Sequence, residues 1–303
     1  IICMKKAGFI QPEMHLKLAN ILRLLAVEMV EEAKSGHPGM PMGFADVATI
    51  LFQHFLRFNP QDPTWPDRDR FILSAGHSSA LLYSILYLTG YDQYSIDDLK
   101  RFRQFQSKTP GHPEYNPSLG IETTTGPLGQ GLANAVGMAI AAKINNARQA
   151  KPTLNHKIYV VVGDGCLMEG ISHEALSLAG HLGLDNLVVL FDDNKISIDG
   201  PTSLSCSDQI LTRLSSYNFH CLSVGGHDPN AIYTSFQTIK NVKKPSFIAF
   251  RTKIGFGSPT YEGSCESHGK ALGQEELQTI KENFACGYDN FSVDKTLLKI
   301  WRS

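Results

Sequence analysis

The stretch of sequence that decides the fold reads Lys157-Ile158-Tyr159-Val160-Val161-Val162-Gly163-Asp164-Gly165. After the lysine, a continuous apolar run rich in β-branched residues is typical of a strand buried within a parallel sheet. Gly163 ends that run, and glycines flank Asp164 at the point where the strand would turn into a helix. Ligands of open α/β sheets bind beyond the carboxyl ends of the strands, so this turn is also a candidate site.

The same alternation of strand and helix continues on both sides of this stretch. Apolar runs predict strands over residues 71–73, 157–162, 186–191, 219–224 and 246–251. Helical spacing of apolar residues predicts helices over 16–34, 44–55, 131–148, 169–182 and 273–284, one ending near residue 88 and one beginning near residue 230. We therefore predict an α/β fold with a doubly wound, mainly parallel sheet flanked by helices. It would occupy residues 16–285, between an N-terminal segment (1–15) and a C-terminal tail (286–303).

The composition is that of an ordinary globular protein, with 42% hydrophobic and 19% charged residues among 303. A formal net charge of −1 gives no electrostatic reason to expect nucleic acid or an anionic membrane as a partner. No apolar run reaches the length of a membrane span, and the first residues do not resemble a signal peptide. The six cysteines form no C-x-x-C pair, which indicates free thiols in a reducing compartment. We therefore expect a cytoplasmic protein.

A second polar segment follows the next predicted strand. It reads Asp192-Asp193-Asn194, and 28 residues separate Gly165 from Asn194. Because neighbouring strands of a parallel sheet end at the same edge, Asp164 and Asn194 can face one ion. A carboxylate, an amide oxygen, a main-chain carbonyl and two phosphate oxygens suit Mg²⁺ or Ca²⁺. The glycines beside Asp164 would let a phosphate approach the backbone near a helix start.

Other interpretations of these two segments remain open at this point. Taken singly, Gly-Asp-Gly is more often a tight turn and Asp-Asp-Asn a solvated strand end. Their occurrence on consecutive predicted strands favours the metal site. The chain contains neither G-x-G-x-x-G nor G-x-x-x-x-G-K-[ST], so a Rossmann dehydrogenase or a P-loop nucleoside triphosphatase is poorly supported.

Six segments, in order, resemble the N-terminal, diphosphate-binding half of the transketolase family. They are Ser35-Gly36-His37-Pro38-Gly39, Leu73-Ser74-Ala75-Gly76-His77, Thr109-Pro110-Gly111-His112-Pro113-Glu114, Thr125-Gly126-Pro127-Leu128-Gly129-Gln130-Gly131, residues 163–170 and residues 192–200. The resemblance spans roughly residues 16–270, which is most of the chain. It implies a thiamine diphosphate-binding fold and the transfer of a two-carbon unit from a ketose phosphate to an aldose phosphate.

The resemblance also implies a cofactor and the residues that hold it. The cofactor would be thiamine diphosphate with Mg²⁺, which Ca²⁺ or Mn²⁺ can replace. Asp164, Asn194 and the main-chain carbonyl of Ile196 resemble the metal ligands. The residues that resemble cofactor contacts are His77, Gly165 and Asn194 at the diphosphate, and Gly126, Pro127 and Leu128 near the rings.

Candidate catalytic residues follow from the same resemblance. His37 and His112 resemble histidines that bind sugar hydroxyls and assist proton movement, a role that suits histidine because its ordinary pKa is about 6.5. Glu169 matches a glutamate at the family's dimer interface, linked to the glutamate that activates the cofactor. In many members a Gly-Ser-His segment precedes the position of His268, and here Cys265 stands in place of its histidine. That change removes one candidate for proton transfer and leaves His268 to compensate.

Members of this family continue into a pyrimidine-binding domain, and nothing after about residue 270 resembles it. That domain carries the cofactor-activating glutamate and the arginines that bind the sugar phosphate. We therefore expect sugar phosphates as substrates. We also expect a homo- or hetero-oligomer in which a chain with the pyrimidine-binding domain completes the active site.

Three alternatives stay open from the sequence. An inactive remnant or an interaction module would keep the same fold; Cys265 and the missing half favour it, and the intact metal set opposes it. A 1-deoxyxylulose-5-phosphate synthase-like enzyme is a second, although the segments at His112 and at residues 126–131 fit transketolase better. A zinc site at His37, His77 and His112 is the third, but the sequence has no H-E-x-x-H and no closely spaced Cys/His pair.

Overall fold

The computed structural model describes residues 11–150, 153–285 and 289–303. Residues 1–10 of the predicted N-terminal segment and residues 286–288 of the predicted tail lie outside these ranges. No helix within the described ranges combines the length and the apolar character needed to cross a membrane. The cysteines in these ranges are free thiols, as the sequence predicts; they are Cys166, Cys206, Cys221 and Cys265.

A five-stranded parallel sheet forms the centre of the fold. The strands of the chain are β1 (Arg70–Leu73), β2 (Ile158–Val162), β3 (Leu187–Asp192), β4 (Ile196–Ser197), β5 (Gly200–Pro201), β6 (His220–Gly225) and β7 (Ser246–Arg251). The central sheet has the order β1-β2-β3-β7-β6, whereas β4 and β5 pair with each other as a small antiparallel hairpin. Every residue of β2 and β3 is buried, because helices cover both faces of a parallel sheet.

Helices flank this sheet, which confirms the predicted α/β architecture. They are α1 (Pro12–Ala33), α2 (Gly39–Ile50), α3 (Ser79–Leu88), α4 (Ile96–Lys100), α5 (Gln130–Ala147), α6 (Asp164–Met168), α7 (Gly170–His181), α8 (Ile210–Ser216), α9 (Pro229–Thr238), α10 (Gln274–Phe284) and α11 (Lys295–Trp301). α2 packs against α1 and α9, and α5 packs against β2 and α7.

All five strands of the central sheet lie within one residue of their predicted bounds, but two helices begin earlier than predicted. α1 starts at Pro12, before its apolar spacing begins, since proline fits the first turn of a helix. α2 starts at Gly39, the last residue of the segment Ser35-Gly36-His37-Pro38-Gly39. The last five residues of that second predicted helix form a π-helical turn, Leu51–Phe55.

Part of the predicted C-terminal tail is packed against the domain. α11 begins after Asp294, whose side chain accepts hydrogen bonds from the main-chain N–H groups of Thr296 and Leu297. Trp301 at its end is only 2% exposed, and the side chain of Gln53 donates a hydrogen bond to its carbonyl oxygen. Sequence patterns miss this helix because it is only seven residues long. The proposed domain division at residue 285 stays a prediction.

Two glycines on neighbouring helices lead to opposite predictions. A Cβ at Gly137 on α5 would contact nothing within 4 Å, whereas a Cβ at Gly180 on α7 would lie 1.6 Å from the carbonyl oxygen of Tyr217. Gly137→Ala should raise the free energy of unfolding by about 0.5–1 kcal/mol, because alanine loses less backbone entropy in a helix. Gly180→Ala should lower it by about 3 kcal/mol, because the added methyl group forces α7 away from residue 217. Urea unfolding of both variants beside the wild type measures the pair, and effects of equal sign would contradict this packing.

Candidate functional site

A cavity of about 330 Å³ opens at the carboxyl ends of β1, β2 and β3. Ten of the twelve residues singled out from the sequence line it; they are His37, His77, His112, Gly126, Leu128, Asp164, Gly165, Asn194, Ile196 and His268. The other two do not line it. Pro127 lies between two lining residues, and Glu169 is exposed at the start of α7. The fold thus gathers residues that are far apart in the chain.

The candidate metal ligands lie at the ends of two paired strands. β2 and β3 pair in parallel up to the last residue of β2, so Asp164, which starts α6, lies near the end of β3. The side-chain amide of Asn194 is fixed from both sides. Its Oδ1 accepts a hydrogen bond from the main-chain N–H of Ile196 (2.9 Å), and its Nδ2 donates to Asp192 (2.8 Å).

Asp164 is a buried carboxyl group with an incomplete set of partners. Its Oδ2 is buried and has no hydrogen-bond partner in the described part of the chain. Burial, followed by the negative charges of Asp193 and Asp192, raises the pKa of Asp164 to about 7. A divalent cation would compensate the negative charge and bind the free oxygen. The residues present therefore fit a cation.

The protein alone offers few ligands for such an ion. No group of three or more His, Cys, Asp or Glu side chains within the described ranges is arranged to hold a metal. A zinc site built from histidines would require such a group, so the geometry opposes that alternative. A site with one carboxylate, one amide oxygen and one main-chain carbonyl instead leaves coordination positions for the oxygens of a ligand.

Asp192 is a functional candidate that the sequence shows only as part of the polar segment Asp192-Asp193-Asn194. It is the last residue of β3 and is 1% exposed. It accepts hydrogen bonds from the amide of Asn194 and from the hydroxyl of Thr252. Burial outweighs these hydrogen bonds and raises the pKa of Asp192 to about 7. The available signal is its place at the end of an otherwise apolar strand, where a buried carboxyl group can orient its polar neighbour.

Three histidine rings meet in the same cavity. Ring centroids lie 5.0 Å apart for His37 and His77, 5.8 Å for His37 and His268, and 5.3 Å for His77 and His268. A fourth histidine, His112, lies against Gly126, where a Cβ would come within 3.4 Å of the imidazole ring. Gly126 also has a φ of 156°, which L side chains rarely adopt, so glycine suits this position for two reasons.

Burial keeps these histidines neutral near pH 7. Burial and then the neighbouring histidines lower the pKa of His77 to about 3. Burial, followed by His268, Arg103 and His112, lowers the pKa of His37 to about 4. Burial also lowers the pKa of His112 and of His268. The ordinary histidine pKa of about 6.5 therefore does not apply to these rings in the chain alone. An anionic ligand beside the rings would raise their pKa values again.

Cys265 does not line the cavity, whereas His268 does. The cysteine begins the short turn Cys265–Ser267, and the histidine follows that turn. The cysteine side chain therefore forms no part of the cavity wall, and the loss of a proton-transfer group at residue 265 stays a prediction. Apolar residues that the sequence analysis did not single out complete the wall; among them are Met40, Ile198 and Ile254.

A larger cavity, of about 590 Å³, lies at the opposite edge of the sheet. None of the twelve residues singled out from the sequence lines it. Its carboxyl groups already have partners: Asp69 accepts hydrogen bonds from the main-chain N–H groups of Arg57 and Lys157, and Asp185 pairs with Lys143. Size alone therefore does not mark the functional site of this chain.

Comparison with known proteins gives a consistent picture. The family model described as "Transketolase, thiamine diphosphate binding domain" matches residues 14–303. The chain is 52% identical over 290 residues to the transketolase of Buchnera aphidicola subsp. Acyrthosiphon pisum, which covers 94% of this chain and 44% of that protein. It is 51% identical over 289 residues to transketolase 2 of Escherichia coli, and this match covers 94% of the chain and 43% of that protein.

Solved structures agree with these relatives. The crystal structure of transketolase from Campylobacter jejuni matches with a TM-score of 0.93 at 45% identity, over 96% of this chain and 46% of that one. The transketolase of Leishmania mexicana matches with a TM-score of 0.92 at 45% identity, over 95% of this chain and 44% of that one. The chain thus spans less than half the length of the relatives it matches.

Asp164→Asn tests whether this carboxyl group is an uncompensated charge. In metal-free buffer at about pH 8, the variant should be more stable than the wild type by about 1 kcal/mol or more, because it removes a buried, unpaired charge. The pKa is raised in the folded state, so the folded wild type binds more protons than the unfolded chain between about pH 4 and pH 7. The advantage of the variant should therefore shrink as the pH falls through this range. Urea unfolding with EDTA at several pH values measures it, and a variant less stable than the wild type at pH 8 would contradict the assignment.

Proposed function

The chain belongs to the transketolase family, as its thiamine diphosphate-binding domain, and we propose that it anchors thiamine diphosphate and a divalent cation for ketol transfer. The reaction would move a two-carbon unit from a ketose phosphate to an aldose phosphate. The observation that carries the proposal is the unpartnered Oδ2 of buried Asp164, in one cavity with Asn194 and Ile196. A buried carboxyl oxygen in that state fits a cation–diphosphate site better than a purely structural turn.

Mg²⁺ is the proposed cation, held by Asp164, the side-chain oxygen of Asn194 and the main-chain carbonyl of Ile196. The amide oxygen of Asn194 uses one lone pair for the N–H of Ile196, and the second remains for a metal. Three oxygen ligands suit Mg²⁺, and Ca²⁺ or Mn²⁺ can replace it because they prefer the same ligand type. Oxygens of the diphosphate would fill the remaining positions.

Gly165 and His77 are the proposed diphosphate contacts, with Gly126, Pro127 and Leu128 near the rings. A Cβ at residue 165 would lie 2.9 Å from the side chain of Leu128, so glycine keeps that space open. His77 is neutral in the chain alone, and a neighbouring diphosphate would raise its pKa and favour the cationic donor. The cofactor, when bound, supplies the electron sink that lets the C2–C3 bond of the sugar break.

His37 and His112 are the proposed groups that bind sugar hydroxyls and move their protons. In the chain alone both are neutral near pH 7, so each ring has one nitrogen that can accept a proton. His268 is the third candidate, because its ring centroid lies 5.8 Å from that of His37.

The remaining catalytic groups would lie outside these 303 residues, which span 44% of a relative's length. A partner in a homo- or hetero-oligomer would supply the pyrimidine-binding domain, the cofactor-activating glutamate and the contacts to sugar phosphates. Glu169 is exposed at the start of α7 and is therefore available to such a partner. A cytoplasmic location stays a prediction from the sequence.

The two other functional interpretations have weaker support. An inactive remnant or interaction module draws part of its support from Cys265, yet that residue does not line the cavity that holds Asp164 and Asn194. A 1-deoxyxylulose-5-phosphate synthase-like enzyme is disfavoured because the relatives at 52% and 51% identity are named transketolases.

Reconstitution with a pyrimidine-binding domain tests the proposal. The chain is combined with a second chain that carries the pyrimidine-binding domain of a related transketolase, in the presence of Mg²⁺ and thiamine diphosphate. We expect ketol transfer from xylulose 5-phosphate to ribose 5-phosphate by the pair and by neither chain alone, because each chain holds part of the site. Cofactor at about 100 times its Kd should also stabilise the pair by about 2.7 kcal/mol, which is measured as a rise in Tm.

Asp164→Ala is the informative variant, and Asp97→Ala is its control. Asp97 is a carboxylate on α4 whose side chain is 89% exposed and does not line the cavity. Its loss should leave both the activity and the rise in Tm unchanged, whereas Asp164→Ala should abolish both. A pair that is inactive and whose Tm does not respond to the cofactor would overturn the proposal.

A further inference from the structure

Arg103 lies between the two loops that carry the candidate sugar-binding histidines. We define the first histidine loop as residues 34–38 and the second as residues 109–113. The guanidinium Nη1 of Arg103 donates a hydrogen bond to the hydroxyl of Ser35 in the first loop (2.9 Å). The main-chain N–H of Arg103 donates to the carbonyl of Thr109 in the second loop (2.9 Å). One residue therefore connects both loops.

The guanidinium also lies directly against the backbone of the second loop. A Cβ built at Gly111 would come within 2.7 Å of Nε and 3.1 Å of Nη2 of Arg103. Any larger residue at position 111 would therefore displace the arginine, and glycine is needed for this contact. Gly111 directly precedes His112, so the guanidinium lies against the residue next to that histidine.

The first loop is tied to the same segment by packing as well as by the hydrogen bond. Gly36 has a φ of 141°, and a Cβ there would lie 3.1 Å from the ring of Phe102, the residue before Arg103. Gly36 directly precedes His37, so the segment at residues 102–103 packs beside the residue next to that histidine.

A guanidinium carries a permanent positive charge, and its field reaches both histidines. Arg103 lowers the pKa of His37 together with burial, His268 and His112, and it lowers the pKa of His112 together with burial. The groups that face His37 are thus the rings of His77, His268 and His112 and the charge of Arg103. For His112, Arg103 is the charged group that acts on it within the described part of the chain.

We propose that Arg103 is a positioning residue that ties the two histidine loops together and holds a fixed positive charge beside His37 and His112. The tie keeps the two rings at a set separation across the cavity. The charge favours the neutral rings, which can accept protons. The inference rests on the proposed function in so far as these histidines handle sugar hydroxyls, but the geometry and the charge effect belong to the chain itself.

Titration of the histidine rings in the chain alone tests the charge. Long-range ¹⁵N–¹H NMR spectra would follow His37 and His112 in the wild type, Arg103→Gln and Arg103→Lys. We expect the pKa of His112 to rise towards its ordinary value in Arg103→Gln and to stay low in Arg103→Lys, because lysine keeps the positive charge. Added salt should raise the pKa in the wild type and have little effect in Arg103→Gln, since it screens the same charge.

The tie is tested separately by a double-mutant cycle with Ser35→Ala. Ser35→Ala removes the hydrogen bond and keeps the charge, so it should lower Tm and leave the histidine titrations unchanged. In an Arg103→Gln background the same substitution should have a smaller effect on Tm, because the bond is already lost. Circular dichroism checks that each variant is folded. If Arg103→Gln does not fold, the change in Tm of Ser35→Ala still tests the tie.

The reconstituted enzyme provides the functional measurement. The acid limb of the pH profile of kcat/KM should move to higher pH in Arg103→Gln and remain in place in Arg103→Lys. An inactive wild-type pair would count against the proposed function and leave the NMR test of Arg103 intact. The inference is overturned if the His37 and His112 titrations are the same in Arg103→Gln and wild type, or if the effects of Ser35→Ala and Arg103→Gln on Tm simply add.

Discussion

The parallel pairing of β2 with β3 is the constraint on which the cavity depends. It brings the turn at Asp164 beside the turn that contains Asn194, because the two strands end at the same edge of the sheet. A slip of one residue in this pairing would shift the two turns relative to each other by about 3.3 Å along the strands, the rise of one strand residue. Metal coordination does not tolerate such a displacement, since oxygen ligands lie within a few tenths of an ångström of their preferred distance. The buried apolar faces of both strands therefore fix the geometry of a polar site.

The same geometry lowers the stability of the chain without a ligand, because it buries carboxyl groups. Asp164 and Asp192 are both buried, and the pKa of each is raised to about 7, so near neutral pH the fold contains carboxyl groups that resist ionisation. Buried carboxyl groups with incomplete compensation are expected where a fold forms a site for a ligand. Hydrogen bonds from Asn194 and Thr252 compensate Asp192 in part, but Oδ2 of Asp164 has no such partner among the described residues.

Sequence patterns predict the strands of this fold well because burial on both faces gives each a continuous apolar run, as in residues 158–162. They predict the metal-ligand candidates because glycines and acidic residues mark the strand ends. They do not predict what depends on environment. The pKa of His37 falls because the folded chain buries its ring, and Arg103 contacts Ser35, which lies 68 residues away in the chain. Trp301 looks like part of a tail until the core that covers it is known.

The cavity contains two kinds of titratable group, carboxyl groups and histidines, whose pKa values are shifted in opposite directions. A neighbouring cation would stabilise the ionised form of a carboxyl group whose pKa is raised, and a neighbouring anion would raise the pKa of a histidine that burial keeps neutral. One ligand that combines a cation with a phosphate group supplies both charges at once. Binding of the cation should favour the diphosphate, because the cation compensates the carboxylates that would repel an anion, and the coupling is reciprocal. The buried carboxyl groups and the neutral histidines of this cavity therefore favour a ligand that brings both charges over a ligand that brings only one.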